Sequence, residues 1–133
     1  MSSLIAIVKE IKNCDSLNIV KFNCLDQTLT MMSLELSDKI KVGTTVKLIV
    51  KPTHIAIGKN FTGDLSYSNQ LDTTIKSIEN GQLLSGIKLS FFDTTLESII
   101  TVDSSLKMEL KVGDKITAFI KSSDISIGEI IDD

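Results

Sequence analysis

The chain has 133 residues, 17 acidic and 14 basic, all of the basic ones Lys, for a formal net charge of -3 and an isoelectric point near 5.1. That balance disfavours a generic nucleic-acid surface, which needs clustered basic residues and stacking aromatics; there are five Phe, one Tyr and no Trp. One His, no activated Cys arrangement and no spaced carboxylate pair leave nothing from which to assemble a catalytic site, so no enzyme is expected.

The opening MSSLIAIVKE has no basic leader, and its apolar run stops at Lys9 after five residues. No later run approaches membrane-spanning length, and a soluble cytoplasmic protein is expected. Short β-branched runs then follow at Leu4–Ile11, Leu17–Cys24, Thr28–Leu34, Thr45–Val50 and His54–Ile57, divided by Asn, Asp, Gly and Pro. A polar linker, Lys59–Ser68, precedes a second series at Leu71–Ile78, Leu83–Ser90, Thr95–Ile100, Lys115–Ile120 and Asp124–Ile127. Within the second series VDSSLKMELKVG reads as one helical turn, with Asp103 as N-cap and Gly113 as stop. Cys14 and Cys24 match no zinc or redox spacing and read as reduced packing residues, and His54 as a surface residue at a strand start.

The two series are copies. KVGTTVKLIVKPTHIAIG from Lys41 and KVGDKITAFIKSSDISIG from Lys111 share seven of eighteen positions, and LIAIVKEIKN matches LDTTIKSIEN in the same order. The expected architecture is all-β with one short helix per repeat: two tandem five-stranded barrels of the OB type, residues 2–60 and 66–130. Cores of that size are marginal alone, so each copy is expected to lean on a neighbour.

The second copy resembles the molybdate-binding Mop domain, also called TOBE or molbindin. SYSNQL supplies Ser66, Asn69 and Leu71; IITVDS supplies Ile100, Thr101 and Ser104; GDKITAFIKSSD supplies Gly113, Ala118, Lys121 and Ser122. The resemblance covers essentially the whole chain as a tandem pair. It implies non-enzymatic binding of molybdate or tungstate, for storage, buffering or homeostasis, at sites between domains. It further implies no organic cofactor and a homo-oligomer, most simply a trimer of two-domain chains.

A tetrahedral dianion needs many donors and limited positive charge, which backbone N–H groups, hydroxyls and Lys provide. The resemblance implies that Ser66, Tyr67, Ser68 and Asn69 offer main-chain amides as a nest, while Ser104, Lys107, Lys121 and Ser122 close the shell. Where the family pattern has Arg this chain has Ser68, so no bidentate guanidinium contact is made there. The first copy is poorer: Leu34 aligns with Ser104, Ser37 with Lys107 and Pro52 with Ser122, a small gap would bring Ser33 into the Ser104 place, and Lys51 is the clear survivor.

Read without the resemblance, Ser66, Ser68 and Asn69 are ordinary linker polarity, Ser104 is a helix-start residue, and Lys107, Lys51 and Lys121 are solvated lysines. Two other function classes stay open: a ligand-free oligomerising or regulatory module on the same tandem barrel, and an OB-type nucleic-acid binder.

Overall fold

The computed structural model describes residues 2–132, with the Asp132 side chain left aside. Alternation of small or branched apolar residues with polar ones drives each strand: in β1 (Ser2–Cys14) Leu4, Ala6 and Val8 turn inward while Ile5 and Ile7 turn out. β2 (Leu17–Cys24), β3 (Gln27–Ser33), β4 (Thr45–Val50) and β5 (Ala56–Gly58) complete the first half. The second half supplies β6 (Asn69–Asn80), β7 (Leu84–Phe91), β8 (Thr94–Thr101), helix α1 (Val102–Lys107), β9 (Lys115–Ile120) and β10 (Ile125–Asp132).

Pairing does not follow the sequence halves. One five-stranded antiparallel sheet runs β10-β4-β1-β2-β3 and the other β5-β9-β6-β7-β8. The fifth strands are exchanged: β10 pairs with β4, and β5 with β9. Each curled sheet is therefore finished by its neighbour, and the buried Ile, Leu, Val and Phe side chains of both halves form one continuous core. This is how two repeats with marginal separate cores obtain a larger one.

The repeat is visible in detail. The long first strands carry a bulge at the same place, Lys9 and Lys76, each lysine reaching a threonine of the third strand, Thr28 or Thr95. Opposite each bulge a glycine N–H donates back to the strand, Gly43 to Val8 and Gly113 to Ile75. Both glycines hold φ near +95°, and a Cβ on either would touch nothing, so it is backbone conformation that selects glycine here.

Four expectations are corrected. Among the described residues only the second half has an α-helix; the stretch from Thr28 to Gly43 is three residues shorter than its counterpart from Thr95 to Gly113 and passes from β3 to β4 without one. The N-cap is Thr101, whose Oγ1 accepts from the Ser104 N–H at 3.2 Å; Asp103 sits inside the first turn, where its charge suits the helix dipole. The helix closes at Met108, with Glu109 left-handed behind it (φ 51°), so Gly113 serves the next turn rather than the helix end. His54 lies in a 3-10 turn, Pro52–His54, ahead of β5 rather than at a strand start. Both cysteines are free; Cys24 is buried, which pushes its thiol pKa up, but Cys14 is exposed.

Candidate oxyanion site

The exchange of fifth strands brings the two halves together through equivalent residues. Asn69, fully buried at the start of β6, clasps β3 with both amide atoms: Nδ2 donates to the Thr30 carbonyl (3.0 Å) and Oδ1 accepts from the Thr30 N–H (2.7 Å). At the equivalent position Ser2 accepts from the Glu97 N–H of β8 at 2.8 Å. A carboxamide can mimic a strand by donating and accepting at once, whereas a hydroxyl in this role satisfies one group. The Asn69 side chain is thereby spent on the fold.

Beside Asn69 runs Ile120, its ladder partner, followed by Lys121. Lys121 Nζ stands 5.6 Å from the Tyr67 ring centroid, a cation–π distance, and Tyr67 in turn packs edge-on against Phe119 at 6.1 Å. Ser66 and Ser68 are exposed, and the amides of Ser66, Tyr67 and Ser68 make no hydrogen bond with other described residues. None of these residues is left-handed, so the segment does not curl into the alternating concavity of an anion nest; its amides line the approach to Lys121 instead. Ser122 opens a second 3-10 turn, Ser122–Asp124, which packs against β3 of the other half.

Lys51 occupies the matching place. The Pro52–His54 turn behind it packs against β8, and Ser98 of β8 donates its hydroxyl to the Ile55 carbonyl. Lys51, His54, Ser123 and Asp124 share a cavity of about 200 Å³ between the two turns. Lys51, Lys107 and Lys121 form no ion pair with described residues, and so keep their charge available.

Ser104 and Lys107 lie elsewhere. Val102, at the start of α1, donates its N–H to Leu83, beyond the far end of β6, while Lys121 flanks the near end at Asn69. Among the described residues helix α1 packs on β7 and β8, with no comparable packing on the turn that Ser122 opens. Ser104 is also engaged locally, its N–H and Oγ both bonded to Thr101 Oγ1. The structure pairs the halves crosswise: the Ser122–Asp124 turn packs on β3, and the Pro52–His54 turn packs on β8, the strand that runs into Thr101 and Ser104. On the β3 side Ser33 ends the strand near Ser123, with its hydroxyl bonded to the Glu35 backbone. Sequence reasoning missed the exchange because it assigned each fifth strand to its own half.

A second cleft, about 520 Å³, opens along the seam between β3 and β10. Met31, Met32, Leu36, Ile127 and Ile130 line it and its charges are Glu35 and Glu129, so it does not suit an anion. Among the described residues no group of three or more His, Cys, Asp and Glu could hold a bare metal ion, and no helix is long and apolar enough to cross a membrane.

Residues 65–127 match the model of the TOBE domain. No curated protein sequence matches the chain. Among solved structures, a crystal form of the cytoplasmic molybdate-binding protein ModG with molybdate bound superposes with a TM-score of 0.89 and 24% identity, over 95% of this chain and 94% of that one. A molybdate-binding protein from Sporomusa ovata aligns at 35% identity over 45% of this chain and 90% of its own, with a TM-score of 0.44. With residues 65–127 matching the TOBE domain and the first half repeating the same strand order and bulge, the second half is a TOBE domain and the first half repeats its strand plan.

Proposed function

We propose that the chain binds a tetrahedral oxyanion, molybdate or tungstate, in the cytoplasm and without catalysis, in a storage, buffering or homeostatic role. One observation carries this reading: two lysines free of ion pairs, Lys51 and Lys121, stand at equivalent places in the repeats, each leading a 3-10 turn that packs on the other barrel. Free amides at Ser66, Tyr67 and Ser68 and the Ser122 hydroxyl add donors around Lys121. The fold shared with ModG, a molybdate-binding protein, supports the choice of ligand.

The units are residues 2–60 and 66–130, each lending its last strand to the other. Because α1 packs on β7 and β8 rather than on the turn led by Lys121, the proposed shell is completed by the α1 of a neighbouring copy, and a trimer of two-domain chains is the proposed assembly. Calorimetric titration with molybdate, tungstate, sulfate and phosphate, with mass measured by light scattering, tests the reading. Saturable heat with the two large oxyanions and a mass above one chain are expected. Absence of heat or thermal stabilisation at millimolar molybdate overturns it.

One observation favours a second reading, a ligand-free interaction module. The shortened segment between β3 and β4 has no helix, so the first half has no helix-borne counterpart of Ser104 or Lys107. A chain that assembles fully but takes up no oxyanion matches that reading.

A further inference from the structure

His54 and Asp124 occupy the same position of the duplicated segment, three residues after Lys51 and Lys121 respectively. Strand exchange makes these equivalent positions meet: His54 Nδ1 lies 3.8 Å from Asp124 Oδ1, across the cavity that Lys51 also lines. Identical repeats would oppose His to His or Asp to Asp. Divergence at this one position replaces a like pair with a complementary one.

Each residue is tied to its lysine. The His54 N–H donates to the Lys51 carbonyl at 2.9 Å, and the Asp124 N–H to the Lys121 carbonyl at 3.0 Å. A displacement of either residue is therefore passed to the lysine that leads its turn. Around His54 the charged groups on the elements packed together are Lys51 on its own turn, Asp124 opposite and Glu97 on β8. A carboxylate at position 124 opposes an incoming dianion unless its charge is taken up by a cation, and His54, when protonated, is the group in reach.

We propose that His54 and Asp124 form a latch between the unlike halves which positions the two lysine-bearing turns for the anion; the role rests on the oxyanion reading above. These are positioning residues, and they act through Lys51 and Lys121. Both side chains are partly exposed, 41% and 28%, so the effect is that of a half-solvated pair.

The test is titration of the full chain with molybdate at pH 6.0, on the acid side of the usual imidazole range, with thermal unfolding in parallel. The variants are Asp124→Asn, His54→Asn and the reciprocal swap, His54→Asp with Asp124→His. The latch predicts that Asp124→Asn weakens molybdate binding about two- to fivefold even though it removes a negative charge, that His54→Asn does the same, and that the swap returns to within about twofold of wild type. A carboxylate acting only through its field predicts the opposite sign for Asp124→Asn. Tighter binding by Asp124→Asn, or a swap no better than the single variants, overturns the latch while leaving the oxyanion reading intact. A wild type that takes up no molybdate overturns the oxyanion reading and the positioning role together.

Discussion

The two halves share a strand plan, a bulge and a glycine turn, and they differ where each touches the other. At the start of the first strand Asn69 satisfies both backbone groups of Thr30, whereas Ser2 satisfies one of Glu97. In the turn before the fourth strand the N–H of Lys111 is held by the Asp114 carboxylate at 2.9 Å, and that of Lys41 by the Thr44 hydroxyl at 3.1 Å. Asp114 is further tied to Lys59, whose Nζ also caps the carbonyls of Met108 and Glu109. A repeat fold is thus set by backbone geometry that tolerates many side chains, while the contacts that join the repeats are free to diverge. Divergence has given the second half the stronger anchors and, on the proposed oxyanion reading, the fuller set of donors.

The largest expected effect separates the two clasps. Asn69→Ala leaves the half-buried Thr30 N–H and C=O without their Asn69 partners, costing about 2–4 kcal/mol, or roughly 10 °C in Tm for a chain of this size. Ser2→Ala strands one N–H and should cost about 1–2 kcal/mol. Equal losses in thermal unfolding would show that the clasps are equivalent after all.

Next come the lysines. Lys121→Ala removes a charge-assisted contact of about 1.5–3 kcal/mol and should weaken molybdate about ten- to a hundredfold; Lys51→Ala, with Pro52 rather than Ser122 behind it, should weaken it less. Lys76→Ala, at the exposed bulge, should leave calorimetric affinity within about twofold and serves as control. A deficit at Lys51 as large as at Lys121 would mean that both halves bind.

A third pair probes the exchanged strands. At Gly58 an added Cβ would sit 2.5 Å from the Phe119 ring, and at the equivalent Gly128 it would sit 2.8 Å from Ile49 Cγ2. Phe119 is buried and flanked by Phe61 at 5.2 Å, so its ring has little room to yield, while Ile49 is half-buried. Gly58→Ala should cost about 1–3 kcal/mol by overpacking and Gly128→Ala about half as much, as read from denaturant midpoints.

The smallest effect is a difference in acid response. The Lys111 N–H, with Lys59 adding to it, holds the Asp114 carboxyl below its ordinary value of 3.8. A carboxyl depressed in the folded state contributes stability above its unfolded pKa and loses it as pH falls through the folded one. Asp114→Asn should therefore flatten the stability profile below about pH 4, whereas Thr44→Val, which removes a hydroxyl that does not titrate, should lower stability evenly across that range. A slope unchanged by Asp114→Asn would remove the carboxylate from the acid response.

The residues alone determined the repeat, the order of ten strands and their boundaries to within a few positions, because alternation and turn chemistry are local. Val46 matched with Ile116 and Gly43 with Gly113 read the same in the sequence as in the fold. The absent first helix was hidden in a three-residue difference in length, and the Thr101 cap lost out on paper to Asp103, because hydroxyl and carboxylate are both good N-caps and only backbone geometry chooses. What the tertiary structure decided is which half each fifth strand completes. Because the halves share one pattern, β5 and β10 present nearly the same alternating face to either barrel, and no local rule distinguishes staying from crossing. The crossing sets the turns behind Lys51 and Lys121 against the opposite barrel and brings His54 to Asp124. These are non-local contacts, fixed only when both cores close together.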